Sequence, residues 1–411
     1  MNKKIEKKRI LFISQYFWPE NFRVNELVLE LKRRGYEICV LTGTPNYPLG
    51  KVYPDYLANK SKYKNYHGIK IHRVFQLQRN NNKFSLILNY LSFAISASIF
   101  CLLNIRKLKF DLIVGIQLSP ILSMIPAIIL KKTKSIPLYI WVLDIWPDSL
   151  IATGVKSKFI LNSLEKICVR IYSAANILFL SSHSFKDKLQ EMGINKPKLV
   201  YFPQWIESDY LDEINEYSPE AIEVKKIMAP WKDKIIFTFT GNIGDAQDFP
   251  NLIKSLQETS NLDKIIVLII GEGRYKSELI KNIQTKGLGE TVFCLGQFSA
   301  KFIPFFYHYS DFLILPLKNI PVFSLTLPGK MQSYMSSGRP IIGMASGEVA
   351  KVINESKCGF VVPSGDTQGL SKIINECCVL DPRLSIKLGA NGKSYALENF
   401  HLKSILDNLG V

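Results

Sequence analysis

Two glycine-broken turns and one lysine are the residues of this chain best suited to hold a phosphate. Gly241-Asn242-Ile243-Gly244 follows the β-branched and aromatic run Ile235–Thr240 and leads through Gln247 to Asp248 and Pro250, an N-cap and a first-turn proline. Strand, glycine turn and helix start in that order aim backbone N–H groups at an anion. Glycine lets the backbone come close to a phosphate with no Cβ between them. The plain alternative is a tight connection in an α/β sheet. Gly271-Glu272-Gly273 repeats the turn after the next strand, Ile265–Ile270. Asp245 and Asp248 would repel a diphosphate, so such a site needs a cation. Lys330, after Pro328-Gly329 and near a helix start, supplies one. A separate candidate is Asp144, in Leu143-Asp144-Ile145-Trp146-Pro147-Asp148-Ser149. Aspartate is a poor strand residue, and Asp148 is better placed to cap the next helix. Asp144 is therefore free to act as a catalytic carboxylate at a strand's carboxyl end.

The elements that must position these groups read as two alternating β/α halves. Ile10–Ser14, a helix over 24–32 and Ile38–Leu41 form a βαβ unit, the opening of a doubly wound parallel sheet. Ligands of such sheets sit beyond the strands' carboxyl ends, which selects the loops 16–22 and 42–47. Tyr16, Glu20, Asn46, Tyr47 and, after the fifth strand, Trp146 are the candidate contacts of the first half; loop packing is the plain reading of the aromatics. Strands at 69–74, 112–116, 138–142, 177–180 and 199–202 complete a seven-strand sheet, with a long loop over 43–68. The second half has strands at 235–240, 265–270, 292–295, 312–315, 341–343 and 359–362. The expected organisation is a first domain over 1–203, a linker over 204–232, a second domain over 233–385 and a helical segment over 386–411 that reaches back to the first.

Hydrophobic residues make up 47% of the 411 positions, enough for two buried cores. Seven scattered cysteines and five histidines form no CxxC or Cys/His cluster and read as reduced thiols without a metal. No secretory signal opens the chain, which runs from MNKKIEKK straight into a strand; a cytoplasmic protein is expected. The net charge of +17 is uneven. Residues 1–203 hold 31 Lys and Arg against 12 Asp and Glu; residues 204–411 hold 21 against 23. No nucleic-acid module accompanies the basic half, so an anionic membrane surface or an anionic substrate is the expected partner. Phe84–Leu103 carries no charge. Ser85, Asn89, Ser92 and Ser96 fall on one helical face, which reads as an amphipathic helix lying on a membrane or on the sheet rather than as a span.

With these features in place, the chain resembles the family-4 retaining glycosyltransferases, and among them the fucosaminyltransferase-like (WbuB-like) enzymes of bacterial surface polysaccharide assembly. QYFWPENFR, TGTPNYPLGKVY, VLDIWPDSLIATG, FTGNIGDAQDF and PGKMQSYMSSGRPII carry the resemblance. It implies the GT-B architecture, two Rossmann-like parallel-sheet domains facing across a cleft. It also implies a nucleotide-sugar donor on the second domain, a UDP-linked N-acetylated amino sugar such as N-acetylfucosamine, bound by Gly241, Asn242, Gly244, Gln247, Gly271, Gly273, Lys330 and Ser333. The acceptor, an undecaprenyl diphosphate-linked saccharide of capsule or O-antigen assembly, falls to the first domain. The implied transfer retains anomeric configuration and uses no metal or other cofactor, with Asp144 beside the reacting sugar. The implied place is the inner face of the cell membrane, held peripherally. The chain departs from the family where a Glu-x7-Glu pair is usual: those positions hold Leu325 and Ser333, so Ser333 or Gln332 would take the carboxylate's part. Two other readings share this architecture or dispense with its chemistry. A nucleotide-sugar epimerase would need several acids and a histidine; a membrane-surface scaffold would need no active site.

Overall fold

Runs of β-branched and aromatic residues without polar alternation form strands buried on both faces, and both sheets of this protein are built from them. The computed structural model describes residues 8–47, 50–79, 83–152, 155, 157–194 and 198–411. The opening run 1–7 and the side chain of Lys83 lie outside the described residues. The chain divides into two units, Met1–Pro203 and Gln204–Val411.

The first unit is an eight-stranded sheet of β1 (Arg9–Ser14), β2 (Glu37–Thr42), β3 (Asn65–Tyr66), β4 (Ile69–Arg73), β5 (Leu112–Gln117), β6 (Leu138–Val142), β7 (Ile177–Leu180) and β8 (Leu199–Tyr201). Its order is β3-β4-β2-β1-β5-β6-β7-β8. β1 is central and runs parallel to β2 and β5. The strand order reverses at β1, which makes the space beyond β1 and β5 the switch point where ligands of such sheets bind. The seven expected strands are present. The eighth, β3, is antiparallel to β4. His67 and Gly68 both take positive φ, as a two-residue hairpin turn requires, and Asn65 Oδ1 accepts the Gly68 N–H at 2.7 Å. Histidine at that position disguises the turn in the sequence. The 43–68 loop also carries a short helix, Pro54–Ala58.

The apolar run forms one helix, Lys83–Leu103, with the opposite orientation to the one its pattern suggests. The polar face is turned inward. Asn89 is fully buried, with Phe93, Ala97 and Cys101 along the same stripe. Ser92 Oγ accepts the Leu77 N–H at 2.9 Å, and Ser96 donates to the Phe75 carbonyl at 2.5 Å. The segment after β4 runs past the helix, whose polar residues satisfy the backbone groups of Phe75 and Leu77. Ile87, Leu88, Leu91, Ile95, Ile99, Leu102 and Leu103 are left exposed. The helix is long and apolar enough to cross a membrane, and 28% of its apolar window is buried.

The second unit is a six-stranded parallel sheet of β9 (Ile235–Thr240), β10 (Ile265–Ile270), β11 (Val292–Gly296), β12 (Phe312–Pro316), β13 (Ile341–Met344) and β14 (Gly359–Val362), in the order β11-β10-β9-β12-β13-β14. Its switch point lies beyond β9 and β12. One core packs on each side of the sheet, around Leu268 and Leu315 on one and Phe237 and Ile269 on the other. The stretch 204–232, read as a linker, instead contributes to this unit. Its helix Pro219–Met228 buries Ala221, Val224 and Met228 in the Leu268 core. The Ile206 N–H donates to the Phe400 carbonyl at 2.9 Å, joining the first residues of the unit to its last helices.

This orientation of the Lys83–Leu103 helix separates two aspartate substitutions. Phe93→Asp puts a charge into a fully buried position and should destabilise the protein by about 4 kcal/mol or more. Ile95→Asp, on the bare side, should change it by less than about 1 kcal/mol. Denaturant unfolding of the two variants checks the orientation; equal losses would reverse it.

Candidate functional site

In the first unit the loops beyond β1, β2 and β4 are tied together by buried polar groups. Glu20 is 2% exposed. Its carboxylate accepts the N–H groups of Phe17 at 3.2 Å, Asn46 at 2.8 Å and Tyr47 at 2.7 Å. Burial pushes its pKa up to about 7 against those three donors and the Arg73 charge. Arg73 works in the opposite sense, donating to the carbonyls of Trp18, Gly43 and Tyr63. Asn89 joins the cluster from the apolar helix. Its Oδ1 accepts from Gln15 Nε2 at 3.1 Å and Gln76 Nε2 at 3.0 Å, and its amide donates to the Leu77 carbonyl. Glu20 and Asn46, expected to touch an acceptor, are thus enclosed and committed to holding loops. The exposed candidate is Tyr47, packed with Tyr16 and Phe22 in a three-ring cluster with centroids 5.2–5.4 Å apart. Tyr16 itself is 4% exposed.

Asp144 lies just past β6. It keeps some open surface, yet its carboxylate is deep among other atoms, and burial raises its pKa. Hydrogen bonds from Ser149, Ser119 and Trp146 oppose that rise. Trp146 Nε1 donates to Ser119 Oγ at 3.0 Å, so the indole acts through the serine to fix the site. Asp148 starts the helix Asp148–Ala152 and pairs with Lys188 at 3.0 Å, which leaves the two acids with different tasks. Burial raises the pKa of Tyr90; the Arg79 cation opposes that rise and the negative charge of Asp144 adds to it. Arg79 also lies 5.7 Å from the centre of the Tyr47 ring. Sequence reasoning missed Tyr90 and Arg79. Tyr90 stands next to Asn89 in a run that reads as apolar, and only the inward turn of that face gives it away.

In the second unit the two glycine turns are pressed against each other. The Gly241 N–H donates to the Ile270 carbonyl at 2.9 Å, and the Ile243 N–H to the Glu272 carbonyl at 2.8 Å. A Cβ on Gly271, at φ +148°, would collide with the Gly241 carbonyl, and one on Gly273 with the Ile243 carbonyl. These two glycines are therefore required by the packing of turn on turn, before any ligand is considered. Gly244 donates to Gln247 Oε1 at 3.3 Å, and both are buried. Gly241 and Asn242 are exposed. Asp248 is the N-cap of the helix Phe249–Gln257, with its carboxylate on Asn251 Nδ2 at 2.8 Å. Asp245 is neutralised by Arg274 at 2.7 Å, a partner the sequence pattern did not suggest.

Lys330 begins the helix Lys330–Ser336 and reaches this turn. Its stem is partly exposed while its Nζ is enclosed without a hydrogen-bond partner. That reverses the usual habit of lysine, which keeps its charge in water. The Nζ rests 3.9 Å from the centre of the Phe239 ring and 3.0 Å from where a Cβ of Gly241 would stand. Burial alone lowers its pKa to about 7. Ser333, on the same helix, is 4% exposed. Gln332 is fully buried, and its amide nitrogen faces the carbonyls of Pro328 and Gly329. Gln332 therefore holds the turn before the helix, leaving Ser333 as the polar residue at the position where a carboxylate was expected.

Residues 222–395 match the family model described as Glycosyl transferases group 1. Among curated proteins, the chain is 26% identical over 271 residues to WbjE of Pseudomonas aeruginosa, named a probable glycosyltransferase. It is 25% identical over 269 residues to WcaI of Escherichia coli (strain K12), whose name assigns it to colanic acid biosynthesis. These matches take in 63% and 64% of this chain, and the chain spans 64% of the length of each relative. Among solved structures, HepE of Anabaena in complex with UDP and glucose superposes with a TM-score of 0.70 at 15% identity, and sucrose-phosphate synthase of Thermosynechococcus elongatus with 0.75 at 15%. Both cover 98% of either chain. The fold is thus that of the GT-B glycosyltransferases, two parallel-sheet α/β domains, and the second unit carries a glycosyl transferases group 1 domain.

The enclosed charge of Lys330 sets a stability expectation. Its folded pKa of about 7 lies below its ordinary value of 10.5. The penalty for burying the ammonium is complete below pH 7, shrinks as pH rises from 7 to 10.5, and is gone above that. Lys330→Met keeps the volume and removes the charge. It should stabilise the protein by about 2 kcal/mol or more at pH 6, with the gain fading toward pH 10. Thermal melts of both proteins across that range check the sign.

Proposed function

We propose that this protein is a metal-independent, retaining glycosyltransferase of bacterial polysaccharide assembly. In this reading it moves a sugar from a UDP-sugar to a lipid diphosphate-linked saccharide. The observation that carries it is the buried, unpartnered Nζ of Lys330 against the Gly241 turn, in the domain that matches the group 1 glycosyltransferases. A leaving diphosphate gains charge as the glycosidic bond breaks. A cation already aimed at that charge lowers the barrier without needing to reorganise, and it takes the part a metal ion plays in other transferases. The printed names of WbjE and WcaI, and the UDP and glucose held by HepE, support the donor class and the pathway type. The donor sugar is proposed to be an N-acetylated amino sugar, and the assembly a capsule or O-antigen, on the sequence motifs alone.

The first unit is assigned the acceptor. Tyr47, packed on Phe22 and backed by the buried Tyr16, offers a ring surface for a saccharide. Asp144, held by Ser149 and Ser119, is assigned to the reacting sugar, where its carboxylate stabilises positive charge or receives the acceptor's proton. The bare apolar side of the Lys83–Leu103 helix, in a half of the chain with 31 Lys and Arg against 12 Asp and Glu, is assigned to peripheral contact with the anionic inner face of the membrane.

The test is UDP release from a panel of UDP-sugars with a diphosphate-linked acceptor, with EDTA present throughout. Wild type should turn over. Asp144→Asn should bind UDP normally and lose at least about a hundredfold in kcat. Near-normal kcat in that variant would remove Asp144 from the chemistry, and activity that returns only with Mn²⁺ or Mg²⁺ would remove the metal-free site.

Liposome flotation tests the membrane assignment. Binding should be stronger on anionic than on neutral vesicles and fall with salt, since each basic residue near the surface contributes about 1 kcal/mol and is screened. Ile95→Asp should bind more weakly than wild type at every salt concentration. Equal binding of the two proteins would clear the helix of any lipid contact.

A further inference from the structure

We propose that Lys330 is a proton-coupled anion receptor: a nucleoside diphosphate entering the second unit's glycine turns draws a proton from solvent onto its Nζ. This rests on the donor reading above and adds a mechanism to it. Among the described residues Nζ has no hydrogen-bond acceptor, and it faces the Phe239 ring. One aromatic face returns far less than the hydration an ammonium loses on burial, so without an anion the site favours the neutral amine. Burial accordingly holds the pKa near 7.

The surrounding charges do not change that balance. The neighbours on β9 and in the turn after it are Phe239 and Gly241, neither of which titrates. On its own helix the nearest titratable group is Tyr334, whose hydroxyl accepts the Thr240 N–H at 2.8 Å. Tyr307, on the helix Ile303–His308, hydrogen-bonds Thr240 Oγ1. In the adjoining turns Asp245 is paired with Arg274 and Glu272 with Lys276, while Asp248 takes Asn251. On the helix Pro382–Asn399, Lys393 stands near Gly338, beyond the far end of the Lys330 helix. Glu348 opens the helix Glu348–Ser356 and is itself buried with other partners. Burial is the whole cause of the low pKa of Lys330.

A diphosphate reverses the situation. Its oxygens bring the acceptors and the opposite charge that the cavity lacks. The amine lone pair takes one proton from water or buffer, and the resulting ammonium donates to the phosphate. No other bond is made or broken. Since the ligand raises proton affinity, protons must raise ligand affinity by the same factor. Above pH 7 the turn is then largely neutral without an anion and becomes positive as one arrives.

Titration calorimetry of the full-length protein with UDP, at pH 6 and pH 8 in pairs of buffers with different ionisation enthalpies, measures the protons taken up. At pH 8, where free UDP is already fully ionised, wild type should take up about 0.9 proton per UDP bound. Through this group alone, affinity should be roughly tenfold weaker at pH 8 than at pH 6. Lys330→Arg, permanently charged, should bind UDP at pH 8 with no uptake. Lys330→Met should bind more weakly and also show none, while its thermal melt reports that it is folded. UDP binding by wild type without uptake at pH 8 would overturn the coupling and leave the donor reading standing. Uptake that persists in a folded Lys330→Met would place the proton elsewhere and overturn it too. No UDP binding by wild type at either pH would remove both this inference and the UDP donor.

Discussion

Parallel strands deliver their chain ends to one edge of a sheet, and every backbone group buried there must find a partner without water. In the first unit Glu20 and Arg73 meet most of that demand. One carboxylate accepts three amides from two loops, and one guanidinium serves three carbonyls from the same two loops. Each buried charge is stabilised by the dipoles it collects, and each is near enough to the other to shift its titration. Without them the loops beyond β1 and β2 would lose the groups that tie them together. The aromatic cluster around Tyr47 would then have no fixed place to stand.

The same demand explains the apolar helix. The segment after β4 lies against it with carbonyls and amides to satisfy, so Asn89, Ser92 and Ser96 turn toward that segment and the leucines and isoleucines face out. Unmet hydrogen bonds in the interior cost about 1–3 kcal/mol each. Exposed aliphatic groups forgo a comparable burial gain of about 1.5–3 kcal/mol per side chain. The interior wins because one buried asparagine answers several groups at once.

The second unit handles the constraint differently. Its two glycine turns satisfy each other, carbonyl to amide, and need glycine because they touch. Lys330 is an exception, a donor enclosed with nothing to donate to. Such a group weakens the fold, and sites with shifted pKa values of this kind are where function concentrates. The weakness and the proposed anion affinity have one origin, since the surroundings that disfavour an isolated ammonium also strengthen its attraction to a phosphate.

The sequence by itself determined the two sheets. All six strands of the second and seven of the eight in the first are legible, because β-branched runs punctuated by glycine leave few alternatives. It also marked Asp144, the glycine turns and Lys330, whose residue types conflict with their local structure or occur where strands end. Tertiary structure decided what local pattern cannot express. The amphipathic period of 84–103 gives a polar face without saying which side is inside, and a neighbouring loop with unpaired backbone settled it. Glu20 and Asn46 look like ligand contacts from their place after strands, but loops from distant parts of the chain enclose them. Gly271 and Gly273 fit a phosphate turn equally well, and only the approach of the Gly241 turn shows that packing already requires them. In each case the deciding partner lies far away in sequence, so the outcome depends on a contact that no window of residues contains.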